Sequence, residues 1–329
     1  MILPAARVYG EFEPGQEQNR LPGMCASLLQ QQRETWPMCR EGYASLAQVR
    51  TKSLGIGRYS LHLQFNPGRI VSTGAKVDPA TIRQRRCFLC VEHLPPEQHA
   101  MQYGRDLLIL CNPAPIFSSH FTISHREHRP QAIEPYAEVM LQLSKDLSPE
   151  FCTFYNGPRC GASAPDHFHF QAAPLGAIPA MTEAASDSRS IIWNANGVEM
   201  SILPDYGRTA AIFHAKDASA MSNAFRRFVA GWRTLEGVNE EPMMNVLSAY
   251  HHGMFRLVVF LRSRHRPEAY FRKGEAQVLV SPATVDIGGL TVTPRSKEFD
   301  TLTPEALAGI LLEVSADPSI MQKICETMT

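Results

Sequence analysis

Apolar and polar positions follow two periods along this chain, and the switches between them mark out its elements. Residues 18 to 50 read as helical, with Leu28 and Leu29 set among Gln, Arg and Glu. Tyr59-Ser60-Leu61-His62-Leu63-Gln64-Phe65 alternates and predicts a strand ended by Asn66-Pro67-Gly68. Asp78 before Pro79 reads as an N-cap with proline at the first helical position, opening a short helix that leads into Cys87. Strand-like runs follow at Asp106 to Leu110 and His120 to Ile123, separated by the turn-rich Asn112-Pro113-Ala114-Pro115. The segment from Ile133 to Leu147 has helical periodicity and runs into a strand at Phe151 to Tyr155. After Pro174 the loose stretch Gly176 to Arg189 marks a boundary, so domains at 1–180 and 181–329 are expected. The second part predicts strands near Ile191 to Leu203, Thr209 to Phe213, Met244 to Leu247 and Phe255 to Leu261, a helix at Ala218 to Leu235 and a closing helix at Pro304 to Val314. The whole is an α+β pattern, antiparallel sheet with helices packed on it. Phe121 to Gln131 is echoed by Val258 to Glu268, both a strand leading into His-Arg-Pro, which reads as a sign of a duplicated unit.

Composition narrows the partners. Lys+Arg and Asp+Glu are equal at 32 each in 329 residues, so no basic field draws the chain to nucleic acid or an acidic membrane. A small charged substrate fits better. The first residues lack a basic n-region and an apolar run of secretory length, and no later segment approaches a membrane span, so a cytoplasmic location is expected. Eight cysteines in such a chain argue for reduced thiols or metal ligands over a disulfide framework.

The chemistry concentrates in Asp166-His167-Phe168-His169-Phe170-Gln171. On a strand, His167, His169 and Gln171 line one face and Phe168 and Phe170 the other. The preceding loop, Asn156 to Ser163, is rich in small residues and carries a hydroxyl, which suits a phosphate that needs several donors and little bulk. Imidazole is mostly neutral at physiological pH and is a good nucleophile toward phosphorus. Gln171 can bond a phosphate oxygen without adding negative charge, Gly161 and Ser163 can stabilise developing charge, and Asn112 and Asn156 read as ribose or phosphate contacts or as turn caps.

Cys87-Phe88-Leu89-Cys90 is a CxxC with no second CxxC downstream, so the remaining ligands of a metal site must be of another type. Neutral imidazole beside thiolate suits tetrahedral zinc. His128 and His167 are the candidates, with His93, His120 and His125 as rivals that spacing leaves open. If a metal holds His167, then His169 is the free imidazole of the pair.

These residues resemble the histidine-triad-like superfamily, in the branch of galactose-1-phosphate uridylyltransferase, diadenosine tetraphosphate phosphorylase and GDP-hexose phosphorylase. That branch carries H-x-H-x-Q, as at His167, His169 and Gln171 here. His167-Phe168-His169-Phe170-Gln171-Ala172 and Ser281 to Gly289 look most like the GDP-hexose phosphorylases, and an uncharacterised bacterial family shares the Cys-Phe-Leu-Cys and Asn-Gly-Pro motifs. The resemblance implies a fold of paired half-barrels, a structural zinc on Cys87, Cys90, His128 and His167, a covalent nucleophile at His169 and a matching asparagine at Asn156. It also implies a small nucleotide or nucleotide-sugar substrate, and a homodimer is in keeping with it because the branch includes dimers. Two features depart from the branch. The uridylyltransferase Gly-Cys-Ser loop becomes Cys160-Gly161-Ala162-Ser163 with one more residue before His167, and the later His-rich strand has no counterpart in Phe255 to Leu261.

The expected activity is therefore nucleotidyl transfer or phosphorolysis of a nucleoside diphosphate sugar or dinucleoside polyphosphate through a nucleotidyl-histidine. A hydrolase resolving the same intermediate with water is one alternative, and a catalytically idle nucleotide-binding protein is another. A binding protein has no need of both His169 and Gln171.

Overall fold

The computed structural model describes residues 3–16, 19–74 and 78–328. Fourteen strands are found among them: β1 (Val8–Phe12), β2 (Arg50–Ile56), β3 (Tyr59–Phe65), β4 (Ala100–Tyr103), β5 (Leu107–Cys111), β6 (Phe121–His125), β7 (Phe151–Asn156), β8 (His169–Pro174), β9 (Ser190–Ala195), β10 (Val198–Ile202), β11 (Ala210–Ala215), β12 (Met244–His251), β13 (Met254–Leu261) and β14 (Leu290–Thr293). Eleven form one sheet in the order β1-β4-β5-β6-β8-β7-β12-β13-β11-β10-β9, and β14-β3-β2 form a second. Within the large sheet only the edge pair β1–β4 is parallel; every other neighbour is antiparallel. This is the expected α+β architecture.

The large sheet winds twice in the same way. β4-β5-β6 is a meander, the helix Ala137–Asp146 follows, and β7 and β8 return so that β8 lies against β6. β9-β10-β11, the helix Ala218–Glu236 and then β12 and β13 repeat that order, with β13 against β11. β7 and β12 meet at the centre, where Asn156 pairs with Asn245. The sequence echo does not follow this winding. Phe121 to Gln131 begins on β6, the last strand of a meander, whereas Val258 to Glu268 begins on β13, the last strand of the other half.

Each face of the sheet is covered because each carries a separate apolar set. Phe168, Phe170, Tyr155, Phe213 and Val259 pack under the helices Arg20–Thr35, Ala137–Asp146 and Ala218–Glu236. Phe154, Ala173, Ile212 and Phe260 face the small sheet and the helix Pro304–Glu313. Burying a phenylalanine such as Phe168 or Phe170 contributes roughly 2–3 kcal/mol. Phe170 on β8 and Phe168 just before it therefore fix the register, because a slip by one residue would turn both toward the opposite face.

Most predicted elements fall where the periodicity put them, and Asp78 accepts the Thr81 N–H at 3.0 Å ahead of Pro79, as a cap should. The continuous helix expected over residues 18 to 50 is instead two helices, Arg20–Thr35 and Pro37–Ala44, followed by a 3-10 turn and then β2. Pro37 is the cause: Trp36 before it takes an extended conformation, which ends the first helix. The predicted start at residue 18 lies outside the described residues. No helix among the described residues is long and apolar enough to cross a membrane.

Candidate active site

A cavity of about 370 Å³ opens on the face of the sheet opposite Phe168 and Phe170. His169, Gln171, Asn112, Asn156, Gly161 and Ser163 all line it. The six residues singled out for chemistry thus converge on one space, although they come from β7, β8, the turn after β5 and the loop between β7 and β8.

The expected strand from Asp166 begins only at His169, because the His167 N–H is drawn into a turn by the Ala164 carbonyl at 3.2 Å. Phe168 stacks on Tyr136 at 3.8 Å between ring centroids and meets Phe170 edge-on at 4.9 Å, which fixes the opposite face. Gln131 anchors the start of β8: its Oε1 accepts the His169 N–H at 2.8 Å, and its Nε2 donates to the carbonyls of His169 and Asn156 at 3.0 Å each. His169 is 4% exposed. Its Nδ1 lies 2.8 Å from the His167 carbonyl, which can only accept, so Nδ1 carries the hydrogen and Nε2 is left with a lone pair. Burial lowers the His169 pKa to about 4, so the ring is neutral at physiological pH.

Gln171 is oriented by a second buried imidazole. His120 Nδ1 accepts the Ile116 N–H at 3.2 Å, which assigns the hydrogen to Nε2, and Nε2 lies 2.9 Å from Gln171 Oε1. Burial first, and then the nearby Arg69 charge, lower the His120 pKa to about 3. Asn112 both faces the cavity and caps its turn, since Oδ1 accepts the Ala114 N–H at 3.0 Å and Nδ2 reaches Thr122 Oγ1 at 3.3 Å. Asn156 Oδ1 takes three donors, the Thr284 N–H and hydroxyl at 2.8 and 2.7 Å and Asn245 Nδ2 at 3.2 Å. Its oxygen is therefore spent on the scaffold, and only Nδ2 is left to offer the cavity.

Gly161 is required at its position. Its φ of +92° is costly for any L residue, and a Cβ there would lie 2.6 Å from Ala283 Cβ. The loop carrying Ser163 thereby packs directly on the segment that follows Ser281, which supplies Ala283, Val285 and Asp286 to the cavity wall. Arg69, His265, Arg266 and Asp286 also line the cavity and were not foreseen as site residues. Asp286 accepts the Ala283 and Val292 N–H groups at 2.9 and 2.8 Å, while burial raises its pKa to about 6. Arg69 donates through Nη1 to the Ala114 carbonyl at 2.7 Å. Each of these residues lies far from β8 in the sequence and reaches the cavity only through the fold.

Beside the cavity, Cys87, Cys90, His128 and His167 bring one ligand atom each to within 4.8 Å of one another, a group that could hold a metal ion. Cys87 Sγ lies 3.3 Å and Cys90 Sγ 3.6 Å from His167 Nδ1, and Cys90 Sγ lies 3.2 Å from His128 Nδ1. Tetrahedral thiolate and imidazole ligands around zinc stand about 3.6 Å apart, so the spacing fits. The His167 tautomer fits as well, since Nε2 lies 2.7 Å from the His125 carbonyl and must carry the hydrogen, leaving Nδ1 bare for a metal. Asp166, paired with Arg85 at 2.7 Å, stands 3.7 Å from His128 Nε2 on the outer side. Among the rival imidazoles, His120 is engaged with Gln171 and His125 with the Glu127 N–H, whereas His93, whose Nδ1 lies 2.9 Å from the Cys87 carbonyl, stands with Cys90 and Glu92 in a second group that could hold an ion. Phe88 and Leu89, between the two cysteines, line the cavity, so the cage and the site share a wall.

Residues 28–174 match the family described as Domain of unknown function (DUF4922). No curated protein sequence matches the chain. Among solved structures, yeast Ap4A phosphorylase Apa2 superposes with a TM-score of 0.56 at 13% identity, over 93% of this chain and 99% of that one. The same enzyme in complex with Ap4A gives 0.57 at 13% identity, over 88% and 97%. An ADP-glucose phosphorylase from Arabidopsis thaliana with bound ADP-glucose gives 0.40 at 11% identity, over 82% and 100%. The chain thus has the fold of yeast Ap4A phosphorylase, the fold of the branch its motifs resemble.

Proposed function

We propose that this protein is a nucleotidyltransferase or phosphorylase that moves a nucleoside monophosphate group by way of His169. The observation that carries the proposal is the placement of the His169 ring: Nδ1 bonded to the His167 carbonyl, Nε2 left with a lone pair, and the ring lining the cavity that Gly161, Ser163 and Gln171 share. The donor is a nucleoside diphosphate sugar or a dinucleoside polyphosphate. The fold match extends over nearly the whole length of the yeast phosphorylase solved in complex with Ap4A, and this supports that substrate class.

In the first displacement the Nε2 lone pair attacks the α-phosphorus, an N–P bond forms, and the bond from phosphorus to the bridging oxygen breaks. The electron pair leaves with the sugar phosphate or nucleotide. The ring now carries positive charge, and the His167 carbonyl, already bonded to Nδ1–H, stabilises it. In the second displacement an oxygen of the acceptor, inorganic phosphate or a sugar 1-phosphate, attacks phosphorus from the vacated side and the N–P electrons return to Nε2. The Gln171 amide N–H groups and the Ser163 hydroxyl bond the non-bridging oxygens in both steps. Much of the rate comes from positioning and fixed donors, because the neutral ring needs no base to deprotonate it.

Cys87, Cys90, His128 and His167 would hold a zinc ion, whose part is structural because four protein ligands leave no open position. Those residues tie the loop after the helix Pro79–Gln84 and the turn after β6 to the start of β8, and so hold the His167 carbonyl against His169.

The test uses the purified chain with UDP-glucose, GDP-glucose, ADP-glucose and Ap4A, each labelled at the α-phosphate. One or more should leave label on the protein in an acid-labile, base-stable linkage, absent from His169→Ala. Chasing with phosphate, hexose 1-phosphate or buffer alone then separates phosphorylase, transferase and hydrolase. Labelling of His169→Ala at the wild-type level would overturn the assignment.

A further inference from the structure

We propose that His120 is a positioning residue for the nucleotidyl transfer described above, fixing the Gln171 amide so that its N–H groups, and never its carbonyl, face the reacting phosphate. The proposal rests on that reading of the site. A glutamine amide has two nearly isosteric ends of opposite polarity, and beside an anionic phosphate only the nitrogen end stabilises charge while the oxygen end repels it. Something must choose between them.

In this structure the choice is made by a chain of hydrogen bonds that starts in the backbone. The Ile116 N–H has one hydrogen to give, and it points at His120 Nδ1 at 3.2 Å. A neutral imidazole whose Nδ1 accepts has its hydrogen on Nε2. Nε2 lies 2.9 Å from the end of the Gln171 side chain, so the atom it meets must be the acceptor, Oε1. Both N–H bonds of the Gln171 amide nitrogen are then left for the cavity, which Gln171 lines. The relay is rigid. His120 is 1% exposed, its ring meets Phe117 edge-on and tilts against Phe154, and Tyr43 Oη grips its backbone by accepting the N–H at 3.1 Å and donating to the carbonyl at 3.0 Å. The surroundings also keep the ring uncharged. Burial opposes protonation first, and the nearby Arg69 charge adds to it. A protonated His120 would have no acceptor for the Ile116 N–H, so the neutral state and the direction of the relay support each other. His120 reaches no reacting atom and lies outside the cavity lining; its effect passes through Gln171.

The decisive experiment is a double-mutant cycle on single-turnover labelling by whichever α-phosphate-labelled donor among UDP-glucose, GDP-glucose, ADP-glucose and Ap4A labels the metal-loaded wild type fastest. His120→Leu should slow labelling at saturating donor by about 10- to 100-fold, the value of one well-aimed donor to a developing anion, with donor Kd changed by less than about twofold. His120→Gln, which can set an amide nitrogen close to the position of Nε2, should restore the rate to within about threefold of the wild type. In a Gln171→Ala background, His120→Leu should cost nothing further, because a residue acting only through Gln171 has nothing left to act on. Full additivity of the two losses, or an unimpaired His120→Leu, would overturn the proposal. A second measurement stands apart from activity and needs no variant at the site to fold: 15N spectra of histidine-labelled wild-type protein should show His120 as the neutral tautomer with hydrogen on Nε2 from pH 5 to 8. Hydrogen on Nδ1 would overturn the relay even in an active enzyme. If no donor labels the wild type, the covalent reading of the site fails, while this spectrum still decides whether His120 holds Gln171 as described.

Discussion

Alanine at position 161 would test whether the phosphate loop is held by its contact with the segment after Ser281. The backbone there has φ +92°, outside the small left-handed region open to L residues, at a cost of about 1–2 kcal/mol. The new Cβ would sit 2.6 Å from Ala283 Cβ and 3.0 Å from Ala283 Cα. Carbon atoms rest about 3.5–4.0 Å apart, so one of the two segments must retreat by about 1 Å. Overpacking of this kind costs about 1–3 kcal/mol, which with the backbone strain gives roughly 2–5 kcal/mol if the loop stays in place. A loop that moves instead carries Ser163 with it, and a misplacement near 1 Å costs about 100-fold in rate. Gly161→Ala should therefore lose stability, labelling rate or some of each. Ala283→Gly in the same chain removes the nearest colliding atom but leaves the strained φ, so the double variant should recover part of the loss and not all of it. Thermal melting and single-turnover labelling on the wild type, both single variants and the double variant measure this. A Gly161→Ala protein with wild-type melting and labelling, or no recovery in the double variant, would show that the loop is not built on this contact.

Three other perturbations reach different parts of the molecule. Cys87→Ser replaces a thiolate by a poor zinc ligand, so metal content should fall from about one ion per chain to a small fraction and the melting temperature by several degrees, as read by elemental analysis and calorimetry; a metal-free wild type with the same melting temperature would contradict the cage. Glu241 accepts from Tyr155 Oη and the Ile133 N–H at 2.7 Å each, and burial raises its pKa from 4.5 to about 7. The folded state then keeps a proton that the unfolded chain has released, so the part of the stability due to Glu241 should decline as pH rises from about 4.5 to 7 and level off above, by at most about 3 kcal/mol. Urea melts of the wild type and Glu241→Gln across that range should differ by this slope; equal slopes would remove Glu241 as a contributor. Gly42→Ala would set a Cβ 1.9 Å from the Pro113 carbonyl oxygen, so the helix Pro37–Ala44 must lift from the turn that holds Asn112; a several-degree drop in melting temperature is expected, and an unchanged one would count against that packing.

What the sequence made legible was the chemistry compressed into short runs. His167, His169 and Gln171 lie within five residues, and the CxxC brings two thiols together by itself, so their residue types could be read without knowing the fold. Asp78 and Pro79 announced a helix start for the same reason. Contacts made across the fold were not legible. His120 reads as one more histidine until β6 is laid beside β8 and its ring meets Gln171. Arg69 has no signature, and Asp286 lies in the Ser281 to Gly289 run without being marked as a site residue; strand pairing of β14 with β3 and packing of the segment after Ser281 on Gly161 bring them to the cavity. Asn156 illustrates a role that residue type alone leaves ambiguous: three donors on its oxygen make it as much a tie between β7 and Thr284 as a ligand for phosphate. The strand Arg50–Ile56 went unread because its alternation is weak, and its place is set by pairing with β3 and by packing against the helix Pro304–Glu313.

The central claim, that His169 carries the nucleotidyl group, is tested most directly by locating the adduct. After brief exposure to a reactive donor without acceptor, protease digestion at high pH and mass spectrometry should find one nucleoside monophosphate on the peptide containing His169, bound through nitrogen and lost in acid. An adduct mapped to another residue, or donor turned over at the wild-type rate by His169→Ala, would contradict it.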